Sequence, residues 1–191
     1  MCGRYTLRNS KAVKNKHLLN IDVSYNVAPS HQVVTLTSES SLMRWSYNPT
    51  WAKTPMNLIN ARSETLRVKP SFKMAKRCLI VADGWYEWLR TDNKKQPYFF
   101  HMNDSLFNFA GIYTEHNGER GCAIITKDAI QKLSTVHHRM PIIIADDEAD
   151  SWLSGEDVFD SKSSEDIEFY PVSTMVNSPR NNNIDCVKPS P

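Results

Sequence analysis

The segment Leu79-Ile80-Val81-Ala82-Asp83-Gly84-Trp85-Tyr86-Glu87-Trp88 changes from an apolar run to aromatic residues around one acid. The run 79–82 predicts a buried strand, because a short apolar stretch that ends at a polar turn is typical of a strand inside a sheet. Glu87 follows this strand among aromatic side chains. A carboxylate in apolar surroundings is costly unless it is paired, so Glu87 is either functional or held by a structural donor.

Short apolar or alternating runs recur along the rest of the chain, and most of them predict strands. The predicted strands are 32–37, 42–46, 79–82, 98–102, 107–113, 121–126, 142–145 and 169–173. Helices are predicted from a capping Ser10 to residue 19, over 128–134 with Asp128 as the cap, and over the acidic stretch 146–153. Because short strands outnumber helices, we predict an α+β fold of mostly antiparallel, partly barrel-like sheet with a few short helices.

The predicted domain organisation is a single domain over residues 1–191. A length of 191 residues suits one domain with a substantial core, and neither an internal repeat nor a linker divides the sequence. Two segments depart from the strand pattern. Residues 154–166 are predicted to form a mobile acidic loop, and residues 177–191 an irregular tail rich in Asn and Pro.

Composition argues against several classes of protein. A hydrophobic content of 40% and a charged content of 23% are typical of a soluble globular chain. No apolar stretch approaches the roughly 18 residues of a membrane helix, and the basic N-terminus lacks the apolar core of a secretory signal. We therefore expect a cytoplasmic protein with no membrane partner.

The four cysteines are widely spaced and include no Cys-x-x-Cys pair. This spacing argues against a disulfide framework and against a zinc site, so we expect neither a metal nor another cofactor. Cys78 and Cys122 lie in apolar runs and are predicted to be small buried hydrophobic residues.

The net charge of +2 hides a strong separation of charge along the chain. Residues 146–168 hold ten of the 21 acids and one base, so the remainder carries 22 bases against 11 acids. Residues 67–77 contain five bases, Arg67 and Lys73 among them, and no acid. This run is either the face of a solvated helix or a phosphate-binding surface, and accompanying aromatic or amide groups would favour the second interpretation.

Cys2 follows the initiator methionine, which is usually removed when the next side chain is small. The mature chain would then begin with an amine and a thiol on adjacent carbons. Ordinary pKa values of about 7.7–8.0 for the amine and about 8.5 for the thiol leave both partly nucleophilic near neutrality. Together they can condense with an aldehyde to an imine and close a thiazolidine ring. The alternative is that Cys2 is simply the residue after the start codon.

The chemistry of such an aminothiol requires a carboxylate near the amine and a side chain that can move protons. His137 and His138 precede an apolar strand, where an imidazole is well placed for proton transfer, although one of two adjacent histidines is often only a surface residue. Asn60 lies at the end of an apolar stretch and could either cap a turn or orient a ligand.

Together these fragments resemble one family, the SOS response-associated peptidases, or SRAP domains. Each motif alone is weak, but their combination is specific, follows the family's order and spans almost the whole chain. The motifs are Met1-Cys2-Gly3-Arg4-Tyr5, Tyr25-Asn26-Val27-Ala28-Pro29, Leu58-Ile59-Asn60-Ala61-Arg62-Ser63-Glu64-Thr65, Asp83-Gly84-Trp85-Tyr86-Glu87-Trp88, Lys94-Lys95-Gln96-Pro97-Tyr98, His137-His138-Arg139-Met140-Pro141, Pro171-Val172-Ser173 and Val176-Asn177.

The resemblance implies an SRAP-like fold and a sensor of abasic sites in single-stranded DNA. Members of the family crosslink to the ring-opened sugar aldehyde through the mature N-terminal cysteine. By motif position Cys2 is the nucleophile, Asn60 and Glu87 hold the terminal amine and the sugar, and His137 handles protons. The family name records a proposed peptidase activity, which is thought to include removal of the protein's own Met1.

The implied partner is single-stranded DNA that contains abasic sites, bound by a monomer without metal or cofactor. The implied location is the nucleoid, or the nucleus in a eukaryotic host. Four residues match positions expected on the DNA face, and two more come from the basic run 67–77. These DNA-binding candidates are Arg4, Pro29, Trp51, Arg62, Arg67 and Lys73.

The sequence departs from the family's pattern in two places. The family commonly has Asp after the catalytic histidine, where this chain has His138. The Trp-rich loop is also shorter, with Trp51 the only tryptophan between Trp45 and Trp85. Two other functions stay open: a cysteine peptidase that acts on other proteins, and a non-covalent single-stranded-DNA-binding module in which Cys2 is incidental.

Overall fold

The computed structural model describes residues 2–92, 94–159 and 166–190. Within these ranges the chain forms short strands and three α-helices, numbered here in chain order. The strands are β1 (Tyr5–Leu7), β2 (Ser24–Val27), β3 (Gln32–Leu36), β4 (Ser40–Trp45), β5 (Asn60–Arg62), β6 (Lys76–Ala82), β7 (Gly84–Thr91), β8 (Lys94–His101), β9 (Phe107–His116), β10 (Glu119–Asp128), β11 (Arg139–Pro141), β12 (Ile143–Ile144) and β13 (Glu168–Pro171). The helices are α1 (Ser10–His17), α2 (Gln131–Ser134) and α3 (Ala149–Ser154).

Five of the strands close into a barrel. β10 pairs with β9 and with β4, and the pairs β4–β3, β3–β6 and β6–β9 complete the ring. The β4–β10 pair is parallel, whereas the other four pairs are antiparallel. Gly121 allows this closure, because a Cβ atom there would lie 2.2 Å from the carbonyl oxygen of Ser46.

Both faces of the barrel strands are covered. Cys78 of β6 belongs to one core cluster and its neighbour Leu79 to another, since successive side chains of a strand point to opposite faces. Trp85 of the second sheet packs in the first cluster, and Trp152 of α3 packs in the second. Apolar runs such as 79–82 therefore belong to strands that are buried on both sides.

The second sheet is antiparallel, in the order β13-β8-β7-β1-β2. The buried Asp83, in the turn between β6 and β7, ties the barrel to this sheet. Its carboxylate accepts hydrogen bonds from the Thr6 hydroxyl at 2.6 Å, the Arg8 Nε at 3.0 Å and the Asn9 amide at 3.0 Å. These contacts fix the start of the chain against β7.

The predicted α+β fold, with a partly barrel-like and mostly antiparallel sheet, is confirmed. The burial of Cys78 and Cys122 is also confirmed. β7, which carries Glu87, was not predicted as a strand, and the short strands β1, β2, β5 and β11 were missed with it. Short strands and aromatic-rich strands lack a clear alternation of polar and apolar residues. Whether they form depends on pairing with segments distant in the sequence, which a local pattern does not reveal.

Two predicted helix caps are wrong. Ser10 is the first residue of α1, and the cap is Asn9, whose side-chain oxygen accepts the Ala12 amide at 3.0 Å. Asp128 is the last residue of β10, and α2 begins only at Gln131. The pairing of β10 with β11 extends the strand to Asp128 and overrides its local preference for a helix start.

Part of the predicted acidic loop, residues 160–165, lies outside the described residues. The tail after residue 177 is irregular, as predicted, but it is packed against the sheet rather than free. The buried Asn26 amide donates to the carbonyls of Ser178 and Asn181, at 3.0 and 2.7 Å. Among the described helices, none is long and apolar enough to span a membrane.

Candidate active site

Cys2 lies three residues before the start of β1, and it is fully buried, with 0% exposed. β1 pairs with β7, so that Tyr5 lies opposite Trp85, and the Tyr86 amide donates to the Arg4 carbonyl at 3.0 Å. Continuing this antiparallel register brings the start of the chain alongside Glu87. Two motifs far apart in sequence therefore meet through strand pairing.

Glu87 is 3% exposed on β7. Burial raises the pKa of this carboxyl from an ordinary 4.5 to about 7. A group with a pKa near 7 is present as both acid and base at neutral pH. Glu87 can therefore accept and return a proton under physiological conditions.

The Cys2 thiol is held in its neutral form. Burial raises its pKa well above the ordinary value, and the charge of Glu87 raises it further. The thiol points toward the Arg4 carbonyl oxygen, with the sulfur 3.8 Å from it. A buried, protonated thiol needs a base before it can act as a nucleophile.

Asn60, the first residue of β5, reaches Cys2 from a strand that pairs with β10 of the barrel. Its Nδ2 donates to the Cys2 carbonyl oxygen at 2.8 Å. Its Oδ1 is buried, and no described residue donates a hydrogen bond to it. A buried acceptor of this kind is costly unless something pairs with it, so Asn60 is suited to receive a donor from a bound ligand.

His137 lies in the loop between α2 and β11 and is half-buried. The Arg139 amide is 3.0 Å from Nδ1 and donates to it, which leaves the ring proton on Nε2. Burial lowers the pKa of the ring to about 4. His137 is therefore neutral at pH 7 and offers an N–H donor rather than an imidazolium.

A cleft of about 590 Å³ opens beside these groups. None of the described residues that line it is acidic, and two arginines and two histidines make it suited to anions. The His137 and His138 rings stack in its wall, with centroids 4.5 Å apart. The lining residues are Arg62, Trp88, Leu89, Arg90, Ser134, Thr135, Val136, His137 and His138. Cys2, Asn60 and Glu87 are not part of this lining.

The model of the family described as SOS response associated peptidase (SRAP) matches residues 1–179 of the chain. The chain belongs to the SRAP family. The motifs at Cys2, Asn60, Glu87 and His137 all fall within the matched range.

Named relatives of this SRAP chain are abasic site processing proteins. The one called YoqW in Bacillus subtilis (strain 168) is 37% identical, over 98% of this chain and 99% of the relative. The one called HMCES in Gallus gallus is 35% identical over 77% of this chain, which corresponds to 56% of that longer relative.

Solved structures share the SRAP fold seen here. A protein from Bacteroides thetaiotaomicron has a TM-score of 0.80 at 24% identity, over 99% of this chain and 100% of that protein. A phage-related protein from Bordetella bronchiseptica has a TM-score of 0.69 at 27% identity, over 90% of this chain and 94% of that protein.

Two of the predicted DNA-binding arginines lie in different surroundings. Arg62 is exposed and lines the cleft. Arg4 is half-buried, and its guanidinium donates to Asn26 Oδ1 at 3.0 Å and to the Val176 carbonyl at 2.8 Å. Burial lowers the pKa of Arg4, and its contacts hold the tail against the sheet. Contact of Arg4 with DNA stays a prediction.

The other four candidates lie outside the cleft. Trp51 is 57% exposed, and its indole N–H donates to the Pro70 carbonyl at 3.3 Å, which places it against the basic segment 67–77. Lys73 is exposed in the same basic segment, whereas Arg67 pairs with Asp157 at 2.5 Å. This segment contains one short 3-10 helix (Pro70–Phe72) and the start of β6, so the solvated-helix interpretation is wrong. Pro29 is half-buried between β2 and β3.

The sequence reasoning missed two cleft residues, Trp88 and Arg90. They alternate along β7, as side chains on one face of a strand do. The Trp88 indole donates to Asn177 Oδ1 at 2.7 Å, and the Lys95 ammonium lies 4.9 Å from its ring centroid. Recognising β7 as a strand would have placed both residues on one face of the sheet, opposite the face that carries Glu87. No cluster of three or more His, Cys, Asp or Glu that could hold a metal occurs within the described ranges.

Proposed function

We propose that this protein senses abasic sites in single-stranded DNA and becomes crosslinked to them through Cys2, after removal of Met1, as a thiazolidine. One observation carries the proposal: Asn60 holds the Cys2 backbone at 2.8 Å, next to a buried Glu87 with a pKa of about 7. The names of the relatives, abasic site processing proteins, support the choice of substrate.

The cleft is the proposed entry for the damaged strand. Arg62 and Arg90 attract phosphates, which is the sequence-independent part of binding single strands. Trp88 and the stacked His137–His138 pair offer flat surfaces on which bases next to the lesion can stack. An abasic sugar has no base to stack, so it is free to turn toward the buried Cys2.

The chemistry begins at the amine. The abasic sugar opens from hemiacetal to aldehyde, with its hydroxyl proton passing to the ring oxygen, and His137 Nε2–H donates a hydrogen bond to that oxygen. The Cys2 amine adds to the aldehyde carbon, and the resulting carbinolamine loses one water to give a protonated imine (an iminium ion), whose nitrogen keeps its proton. Because His137 has a pKa of about 4, we assign the proton for this water to Glu87.

The thiol closes the ring in a second step. Glu87, now a carboxylate, takes the thiol proton as the sulfur adds to the iminium carbon, which leaves a neutral thiazolidine nitrogen and returns Glu87 to its acid form. The net reaction joins protein and DNA with loss of one water. An imine allows elimination of the neighbouring phosphate and strand cleavage, whereas the thiazolidine removes that route.

The test is direct. Protein whose loss of Met1 is verified by intact mass is incubated with abasic single-stranded DNA, without borohydride. We expect a denaturant-resistant adduct whose mass is the sum of the two molecules less one water. Cys2→Ser should form no stable adduct, and Cys2→Ala should retain an imine and nick the strand. A matured wild type that gives no adduct, or a Cys2→Ser variant that still gives one, would reject the thiazolidine.

The two rival functions predict other results. A peptidase for other proteins would turn over peptide substrates, whereas the proposed crosslinker would not. A panel of fluorogenic peptides should therefore show no turnover. A non-covalent binding module would bind intact and abasic strands alike, with a steep dependence on salt and no adduct.

A further inference from the structure

β10 lies between the strands that carry Asn60 and His137, two groups that the proposed reaction needs close together. At Thr126, β10 pairs with Arg62 of β5 and with Pro141 of β11, so that the two strands flank it on opposite edges. Asn60 begins β5, and His137 precedes β11. Two strand spacings, about 9.6 Å, therefore separate the strands that carry these groups. Each pairing contains only three residue pairs, so the ladders alone hold them weakly.

The Arg139 side chain crosses β10 and joins the two edges. It is 5% exposed, and it reaches Glu64 in the turn that follows β5. Its Nη2 donates to Glu64 Oε2 at 2.9 Å and its Nη1 donates to the other carboxylate oxygen, which is the bidentate geometry of a strong pair. On the way, Nη2 donates to the Thr126 carbonyl at 2.7 Å and Nη1 contacts Asp128 at 2.5 Å.

The same residue also orients the histidine. The Arg139 amide donates to His137 Nδ1 at 3.0 Å, and the Arg139 carbonyl lies 3.2 Å from that nitrogen. Arg139 thus touches the ring through its backbone and Glu64 through its side chain. Removing Glu64 would leave a nearly buried guanidinium with less compensation, and the backbone that carries it would shift.

We propose that the Glu64–Arg139 pair is a positioning clamp for crosslinking, which sets His137 and its tautomer relative to Asn60 across β10. This inference rests on the proposed function. Glu64 and Arg139 are positioning residues, since neither needs to touch the sugar. If the pair served only stability, its loss would lower the unfolding temperature and leave the rate of the chemical step unchanged. The two roles can therefore be separated by experiment.

The kinetic test compares Glu64→Gln with Glu115→Gln. Both variants remove one carboxylate charge from an arginine pair, but Glu115 pairs with Arg120 on the β9–β10 hairpin, away from the cleft. Adduct formation is followed in single turnover as protein concentration is raised. We expect Glu64→Gln to lower the rate at saturation about tenfold or more, with half-saturation within about twofold, because misplacing a group by an ångström slows chemistry rather than binding.

A second readout needs no DNA. Nitrogen-15 chemical shifts report which ring nitrogen of His137 is protonated, and we expect the Nε2–H form in the wild type and in Glu115→Gln. Glu64→Gln should lose that single tautomer. Arg139→Lys, which keeps the charge but lacks the two-pronged donor, replaces Glu64→Gln if the latter does not fold.

Unchanged saturating rate and unchanged His137 shifts in Glu64→Gln would overturn the clamp. If the wild type itself formed no adduct, the proposed function would fail. The clamp would then be judged by the nitrogen shifts alone, with an unaltered tautomer counting against it.

Discussion

At the residue scale, Glu87 should dominate the pH dependence of crosslinking. In the proposed reaction Glu87 enters as an acid, which gives the proton for the departing water, and a pKa of about 7 means that this form is lost as pH rises through neutrality. The terminal amine must be neutral to attack, so we expect the single-turnover rate of adduct formation to pass through a maximum near neutral pH. Glu87→Gln should lose the fall on the alkaline side and keep the rise caused by the terminal amine, measured between about pH 5 and pH 9. Equal profiles for both proteins would exclude Glu87 as the acid.

The same residue should also lower stability at neutral and alkaline pH. Because the folded pKa of Glu87 lies above its ordinary value of 4.5, stability is lost as pH rises from 4.5 through about 7. His137 acts in the opposite sense, since its folded pKa lies below 6.5, at about 4, and stability is gained as pH rises over that interval. The two effects oppose each other between about pH 4.5 and pH 6.5 in the wild type.

Glu87→Gln should therefore be more stable than the wild type by about 3 kcal/mol at pH 8 and equal to it near pH 4. Urea unfolding at the two pH values measures the difference. If Glu87→Gln were no more stable than the wild type at pH 8, the cost of burying the carboxylate would be fully offset by its neighbours.

At the scale of elements, barrel closure depends on the parallel contact between β4 and β10. Gly121→Ala would place a Cβ atom 2.2 Å from the Ser46 carbonyl oxygen, so one backbone must move. We expect the free energy of unfolding to fall by about 1–3 kcal/mol. Gly111→Ala is the matched control, because its Cβ would meet the Cys78 sulfur at 2.9 Å and the side chain of Ile80, which can shift. Urea unfolding should rank Gly121→Ala as the more damaging; the reverse order would argue against a rigid closure.

At the scale of the whole molecule, the acidic and basic segments that are separate in the sequence contact each other in the fold. Asp157 accepts from Arg67 at 2.5 Å and from Arg77 at 2.6 Å, so acids of the segment 146–168 neutralise part of the basic run 67–77. Asp157→Asn should release Arg67 and tighten binding of intact single-stranded DNA about twofold to fivefold, with a steeper salt dependence.

Fluorescence anisotropy at several salt concentrations measures this change, with Glu115→Gln as the control for loss of one negative charge. Arg77 keeps its contact with the Trp152 carbonyl at 3.2 Å, so α3 should stay docked in Asp157→Asn. If both variants raised the affinity equally, net charge rather than the freed arginine would be the cause.

The α+β class, the buried barrel strands and the chemical capacity of Cys2 could be predicted from the sequence, because each depends on local pattern or on the side chain itself. Continuous apolar runs such as 79–82 mark doubly covered strands wherever they occur. The amine and thiol of a mature Cys2 have their reactivity by covalent structure alone. Membership of the SRAP family was likewise readable from the order of its motifs.

The tertiary structure alone decided the rest. Glu87 acquires a pKa of about 7 only because β7, unpredicted as a strand, buries it beside β1. The link from Asn60 to Cys2 and the reach of Arg139 to Glu64 span 58 and 75 residues of sequence. Burial, strand register and long-range pairing set the pKa of Glu87 and these two side-chain contacts. All three depend on neighbours that no local stretch of sequence contains.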